Sequence, residues 1–375
     1  MIVNRIIDED ARQIIEENDG LKELDNCTVL ITGASGMVGS YIIYTLMKLN
    51  DDYGRHINIV PLVRNVRKLN SEILSKHYVN PIEQDVTEPI NCPWDVDYVI
   101  HAASPASPKI MKEKPLETNF ANTLGTANTI KFALEQDVKS YAYISSREIY
   151  GQPAENQEFF TEFGPLGQVD PLVPRNGYAE GKKAAENMCA GAKTEYGLNT
   201  KIIRLAHTYG PGMTIDDGRV QADFLRNVVR NENIVLHSDG SSVRTYTYIS
   251  DAVSAMFWVL LKSNDIVYNI ANEKDKTSVK QLAETLVGIY PERGLELVFD
   301  IPKSNVNQGT AAFTLGILST EKLISERGVE PKYNMHDGFA RTLDYLENFD
   351  LKAIKERQEA LEKKNNEKSL VKKFK

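Results

Sequence analysis

The stretch LITGASGMVGS (residues 30–40) decides the reading of this chain. It overlaps CTVLIT (27–32), a short apolar run rich in β-branched residues and stopped by glycine, as a buried strand is. MVGSYIIYTLMKLN (37–50) then takes up helical periodicity. Gly33, Gly36 and Gly39 therefore stand in a turn between a strand and a helix. Three glycines alone signal little, but in that context they describe a pyrophosphate cradle. Gly33 permits the tight turn, Gly36 lets the phosphates approach the backbone, and Gly39 allows close helix packing. The helix N-terminus favours the negative charge.

Outward from this turn the pattern repeats. INIVPLV (57–63), VDYVIHAA (96–103), SYAYISS (140–146) and TKIIRLA (200–206) read as strands, with helical segments near 115–136 and 177–196. Strands alternating with helices predict an α/β fold whose doubly wound parallel sheet is covered on both faces. After about residue 206 the pattern loosens into short strands, NIVLHS, VRTYTYI and IVYNIAN, mixed with helices near 219–231, 251–262, 278–290 and 335–348. The expected organisation is a helical extension (1–25), a dinucleotide-binding domain (26–206), a smaller interleaved substrate lobe (207–348) and a basic tail (349–375). Ligands of such sheets bind at the strands' carboxyl ends.

Composition narrows the function. A net charge of −8 argues against nucleic acid as the main partner. Cys27, Cys92 and Cys189 are far apart and form neither a metal spacing nor a disulfide framework, which fits a reducing compartment. The first 20 residues are charged throughout, unlike a signal peptide, and no apolar run is long enough to span a bilayer. A cytoplasmic protein is expected, without membrane insertion and without a metal site.

An acidic residue about 20 positions beyond the glycines would hold the adenosine ribose of NAD. VPLVRNVRK places Arg64 there instead, a side chain suited to a 2′-phosphate and hence to NADP. Asp85 in EQDVT is either an adenine contact or a plain turn residue. NGYAEGK sets Tyr178 and Lys182 four residues apart, on one helix face. YTLMK repeats that spacing with Tyr44 and Lys48, so the spacing by itself decides nothing. Tyr44 and Lys48 belong to the helix that opens at the glycines and should not approach a cofactor ring.

TGASGMVG, HAASPASP, SSREIYG and YAEGK, in this order, resemble the extended short-chain dehydrogenase/reductase family, and within it the nucleotide-sugar epimerases and dehydratases. HAASPASP, PRNGYAEGK, TYGPGM followed by DDGRV, and GSSVRTYTYISD are similar to the UDP-glucuronate decarboxylase branch. The resemblance covers about residues 27–345 and implies a Rossmann-type fold, bound NAD(P) and a nucleotide-diphosphate sugar substrate. It also implies a homodimer formed through the helices at 115–136 and 177–196. NAD is the cofactor implied by the resemblance, NADP the one favoured by Arg64.

The same resemblance assigns roles. Gly33, Ser35, Gly36, Met37, Gly39, Arg64, Asp85, Val86, Ala102, Ala103, Ser104 and Asn122 are expected around the cofactor. Tyr178 matches the catalytic tyrosine, Lys182 its lysine, and Ser146 the hydroxyl that orients the substrate oxygen. A neighbouring ammonium and the positive nicotinamide are both expected to favour the phenolate, lowering its pKa from about 10 towards the working range. Glu148 sits where dehydratases and decarboxylases keep a glutamate. Oxidation at C4 makes a C6 carboxylate a β-keto acid that loses carbon dioxide, and a nearby carboxyl group can then move the proton. Ser104, Arg147, Arg175, His207, Arg219 and Arg244 are expected to contact the substrate.

Three residues depart from the family pattern. Arg147 replaces a Ser or Asp, His207 replaces an asparagine beside the diphosphate, and Arg64 replaces the usual acid. The expectation is a nucleotide-sugar lyase that oxidises C4 transiently with bound NAD(P)+ and then loses carboxylate or water, either a UDP-glucuronate decarboxylase-like enzyme, the favoured reading, or a nucleotide-sugar dehydratase. The alternatives are an NADPH-dependent nucleotide-sugar reductase or epimerase, and a non-catalytic dinucleotide-binding protein.

Overall fold

The computed structural model describes residues 4–155, 157–301 and 317–373, with side chains through residue 362. The first half runs α1 (Arg5–Glu16), β1 (Thr28–Thr32), α2 (Met37–Tyr53), β2 (Asn58–Val63), α3 (Ser71–Leu74), β3 (Ile82–Glu83) and β4 (Tyr98–His101). It continues as α4 (Pro108–Glu113), α5 (Pro115–Glu135), β5 (Ser140–Ser146), β6 (Phe159–Phe160), α6 (Gly177–Tyr196), β7 (Thr200–Leu205) and β8 (Thr208–Tyr209). Next come α7 (Val220–Val229), β9 (Ile234–Leu236), β10 (Val243–Thr245), β11 (Thr247–Tyr248), α8 (Ile249–Lys262), β12 (Val267–Ile270) and β13 (Lys276–Ser278). The last elements are α9 (Val279–Gly288), β14 (Leu297–Phe299), β15 (Ile317–Leu318), α10 (Glu321–Arg327), α11 (Met335–Asn348) and α12 (Leu351–Lys373).

Seven strands form one parallel sheet in the order β12-β7-β5-β4-β1-β2-β3. The order reverses between β1 and β4, and that switch point is where a doubly wound sheet opens a crevice for ligand. Side-chain alternation explains the layers. Val29 and Ile31 point to the face covered by α2 and α8, whereas Leu30 points to the face covered by α5 and α6. All three are fully buried, and each such side chain contributes about 2 kcal/mol of transfer energy. IVYNIAN, read from sequence among the short strands of the lobe, supplies β12, the edge strand of the main sheet.

α1 packs into the same core. Asn4 caps it by accepting from the Ile6 and Ile7 amides, and Ile6, Ile7 and Ile14 are buried with α2 and α8. Asp10 is fully buried and accepts hydrogen bonds from the Tyr41 and Tyr248 hydroxyls (2.8 and 2.9 Å) and from Arg341 (2.7 Å). Tyr44 lies in this core and Lys48 pairs with Asp8 and Asp52, so that pair is structural, as expected. Among the described residues no helix is long and apolar enough to cross a membrane.

Candidate active site

The glycine turn is pressed against the turn after β4. A Cβ on Gly33, whose φ is +67°, would lie 2.7–2.8 Å from the Ala102 and Ala103 backbone. One on Gly39 would lie 2.6 Å from the Gly33 carbonyl oxygen, so both positions require glycine. Thr32 fixes the approach, accepting from the Ala103 amide at 3.1 Å and bonding His101 Nδ1 at 2.7 Å. Gly36, by contrast, meets only the Gly33 carbonyl oxygen at 3.3 Å, and Ser35 and Gly36 are exposed at the start of α2 while Met37 is partly buried. Ser104 Oγ, one residue beyond Ala103, and Asn122 Oδ1, on α5, are buried with no hydrogen-bond partner. An open backbone cradle at a helix N-terminus, flanked by unused polar atoms, fits a dinucleotide.

Asp85 is committed to its own turn, accepting from the amide and hydroxyl of Thr87 at 3.0 and 2.9 Å. Both bonds fall on Oδ1, so that oxygen serves the turn. Val86 is buried against Gly125, where an added Cβ would come within 2.9 Å of it. Arg64 is exposed immediately after β2.

Tyr178 occupies the first turn of α6 and is buried, with the Ser146 hydroxyl from the end of β5 as its hydrogen-bond partner. One turn later the Lys182 ammonium donates to the Ile144 carbonyl (2.6 Å) and lies 5.7 Å from the Tyr178 ring centre. Close packing permits this: a Cβ on Gly181 would stand 3.0 Å from Asn122 Cβ, so α6 meets α5 closely beside the lysine.

The protein's own groups leave both members of the pair poorly solvated. Burial, reinforced by Glu148, pushes the Tyr178 phenol up to about 12, against the pull of Ser146, Arg219 and Arg175. Burial also pushes Lys182 down to about 7. Desolvation is the largest influence on both groups, and the phenol's hydrogen bond is to Ser146 rather than to the amine.

Beyond the carboxyl ends of β5 and β7 lies a cavity of about 450 Å³, whose wall brings together Arg147, Glu148, Arg175, His207, Arg219 and Arg244. All six were expected from sequence. Arg147 and Glu148 directly follow Ser146, and Ala179, also in the wall, directly follows Tyr178. Glu148 is clamped by Arg175 through two hydrogen bonds of 3.1 and 3.2 Å. Arg219 pairs with Asp217 at 2.9 Å and donates to the Ala106 carbonyl. Arg147 is only 7% exposed, and its Nε has no partner. His207 holds a φ of +33°; burial, with Arg147, Arg244 and Arg219 nearby, keeps its imidazole neutral.

Sequence reasoning missed Gln221, which is fully buried in the first turn of α7 with neither amide atom bonded, although it lines the cavity. Its neighbour Arg219 was visible as a charged residue in DDGRV, whereas a buried glutamine carries no such mark. It also missed His101, the last residue of β4, although HAASPASP begins with it. Burial pushes this imidazole down to about 3. Together the arrangement offers a phenol and hydroxyl for proton exchange at one oxygen, a carboxylate beside them, and a cationic wall for an anionic substrate.

Residues 29–271 match the model of the NAD dependent epimerase/dehydratase family. UDP-glucuronic acid decarboxylase 1 of Xenopus tropicalis is 31% identical over 274 residues, spanning 72% of this chain but 62% of that protein. UDP-glucuronic acid decarboxylase 3 of Arabidopsis thaliana is 32% identical over 282 residues, 74% of this chain and 79% of the relative. Among solved structures, an epimerase from Methanothermobacter thermautotrophicus superposes with a TM-score of 0.73 at 20% identity, covering 90% of this chain and 97% of that one. A UDP-glucose 4-epimerase of Thermotoga maritima, solved with UDP-glucose, gives 0.70 at 24% identity over 85% and 98%. At these identities the structural likeness concerns the fold. The sequence match and the site agree in placing the chain: it belongs to the NAD dependent epimerase/dehydratase family.

Proposed function

We propose that this chain is a nucleotide-sugar lyase acting on UDP-glucuronate. The observation that carries the reading is the junction of Tyr178 and Ser146 with Glu148, at the edge of a cavity walled by four arginines. Bound NAD(P) supplies a hydride acceptor and donor for C4 of the sugar. Tyr178 exchanges the proton of the C4 hydroxyl while Ser146 orients that oxygen, and Lys182, one turn along α6, is anchored on the Ile144 carbonyl. With C4 as a ketone, the C6 carboxylate leaves as carbon dioxide, the electron pair it leaves behind flows into the C4 carbonyl, and C5 then takes up a proton from solvent relayed through Glu148. Arg219 and Arg244 neutralise the diphosphate.

Incubation of the pure protein with UDP-glucuronate and either NAD+ or NADP+ should release carbon dioxide and a UDP-pentose. No turnover with either cofactor removes the assignment. The second reading, an NADPH-dependent reductase or epimerase, is favoured by exposed Arg64 at the end of β2, where a 2′-phosphate would sit. Stoichiometric consumption of NADPH identifies a reductase. The stripe of Leu116, Phe120 and Leu124, exposed one turn apart along α5, supports a homodimer through that helix. Three free cysteines support a reducing, cytoplasmic setting.

A further inference from the structure

The four arginines of the cavity are not equivalent. Arg175 is held by Glu148 and Arg219 by Asp217. Among the described residues, Arg147 and Arg244 form no ion pair, and Arg147 is the most buried of the four. The carboxylate nearest in sequence, Glu148, is already engaged on both oxygens by Arg175. An unpaired buried guanidinium carries a desolvation cost that an incoming anion relieves. His207 beside it is neutral and adds no competing charge.

Position tells which anion. Arg147 follows Ser146, whose hydroxyl bonds the Tyr178 phenol, so it starts one residue from the group that orients the oxidised carbon's oxygen. A diphosphate is separated from that carbon by most of the sugar ring. A carboxylate on the adjacent carbon is not. The planar guanidinium matches a carboxylate with two parallel hydrogen bonds. We propose that Arg147 is a specificity-determining residue that binds the carboxylate attached next to the oxidised carbon, restricting the substrate to nucleotide-linked uronic acids. The inference rests on the nucleotide-sugar reading above and deepens it.

The test is calorimetric titration of the intact protein with UDP-glucuronate, UDP-glucose and UDP, repeated with Arg147→Ser and Arg147→Gln. The unaltered protein should bind the uronate about tenfold or more tightly than the neutral sugar. Both variants should bring the two sugars within about twofold of each other while UDP affinity stays the same. Two variants of different size guard against a packing defect, and UDP binding reports that each is folded. An unchanged sugar ratio in a variant that still binds UDP overturns the assignment. So does equal affinity in the unaltered protein, which leaves the nucleotide-sugar reading standing. Failure to bind either sugar or UDP overturns both. An Arg147-dependent preference without carbon dioxide release sinks the lyase reading and upholds this one.

Discussion

Glu148 and Arg175 face each other as a two-pronged ion pair, with separations of 3.1 and 3.2 Å. Arg175 lies in the short turn Pro174–Asn176 that leads into α6, so the pair ties the carboxylate to the helix that carries Tyr178. Both side chains are partly exposed, and such a pair contributes at most about 1 kcal/mol to stability. Its effect lies in aim. Arg175→Lys, which loses one prong, should lower kcat by roughly 10- to 100-fold with the melting temperature almost unchanged. Steady-state kinetics beside a thermal melt checks this, and a parallel fall in both would contradict it.

Removing the phenolic oxygen should stop the chemistry without emptying the site. Tyr178→Phe is expected to reduce turnover by roughly 10²- to 10⁴-fold while UDP binding stays within a few-fold. Single-turnover assays and titration measure the two separately. Turnover at the unaltered rate would mean that the reaction occurs elsewhere.

His101 sets an acid limit on stability. Its folded pKa, about 3, lies below the ordinary 6.5, so between those values the unfolded chain binds a proton that the folded chain refuses. The histidine's contribution is complete above pH 6.5 and is lost as pH falls towards 3. At pH 5 the loss is roughly 2 kcal/mol. Urea unfolding at pH 5 and pH 7.5 should show this difference, and His101→Gln should shrink it.

Asp10 holds three donors that have no other buried acceptor of comparable charge. Asp10→Ala leaves the buried Tyr41 phenol without its acceptor and removes one of the two carboxylates on Arg341, which keeps Glu9, and should destabilise the protein by about 2–3 kcal/mol. Deleting residues 1–18 should have a larger effect. A truncated chain that melts at the original temperature would show that α1 is dispensable.

The apolar stripe on α5 predicts an interface. Phe120→Glu puts a charge between Leu116 and Leu124 and should turn a dimer into a monomer in light scattering at micromolar concentration. A monomer before substitution would contradict the proposed pairing.

The sheet was legible because its signals are local. β-branched runs stopped by turns marked β1, β2, β5 and β7 within about a residue, and helical periodicity marked α6 and α11 at both ends. β12 was legible as a strand but not as part of the main sheet, since pairing with β7 is a contact between residues 65 apart, such as Val267 and Ile202. The site's charged residues could be named from the motifs, and the cavity gathers them. Their states could not: the raised phenol of Tyr178 and the lowered amine of Lys182 follow from dry surroundings that depend on how α5 and α6 close together. Gln221 stayed hidden for the same reason, as burial of an uncharged polar side chain leaves no periodic trace.

The chain leaves the sheet after β7, builds much of the wall that Arg219 and Arg244 occupy, and then returns to lay β12 along β7. Grafting that wall onto a related scaffold therefore takes a double splice, one cut on each side of residues 206–266, with the second made so that the edge strand stays with its host. Cut only once, the recipient would lose the outermost rung of its own ladder, and designers seeking new sugar preferences would meet misfolding before they met altered selectivity.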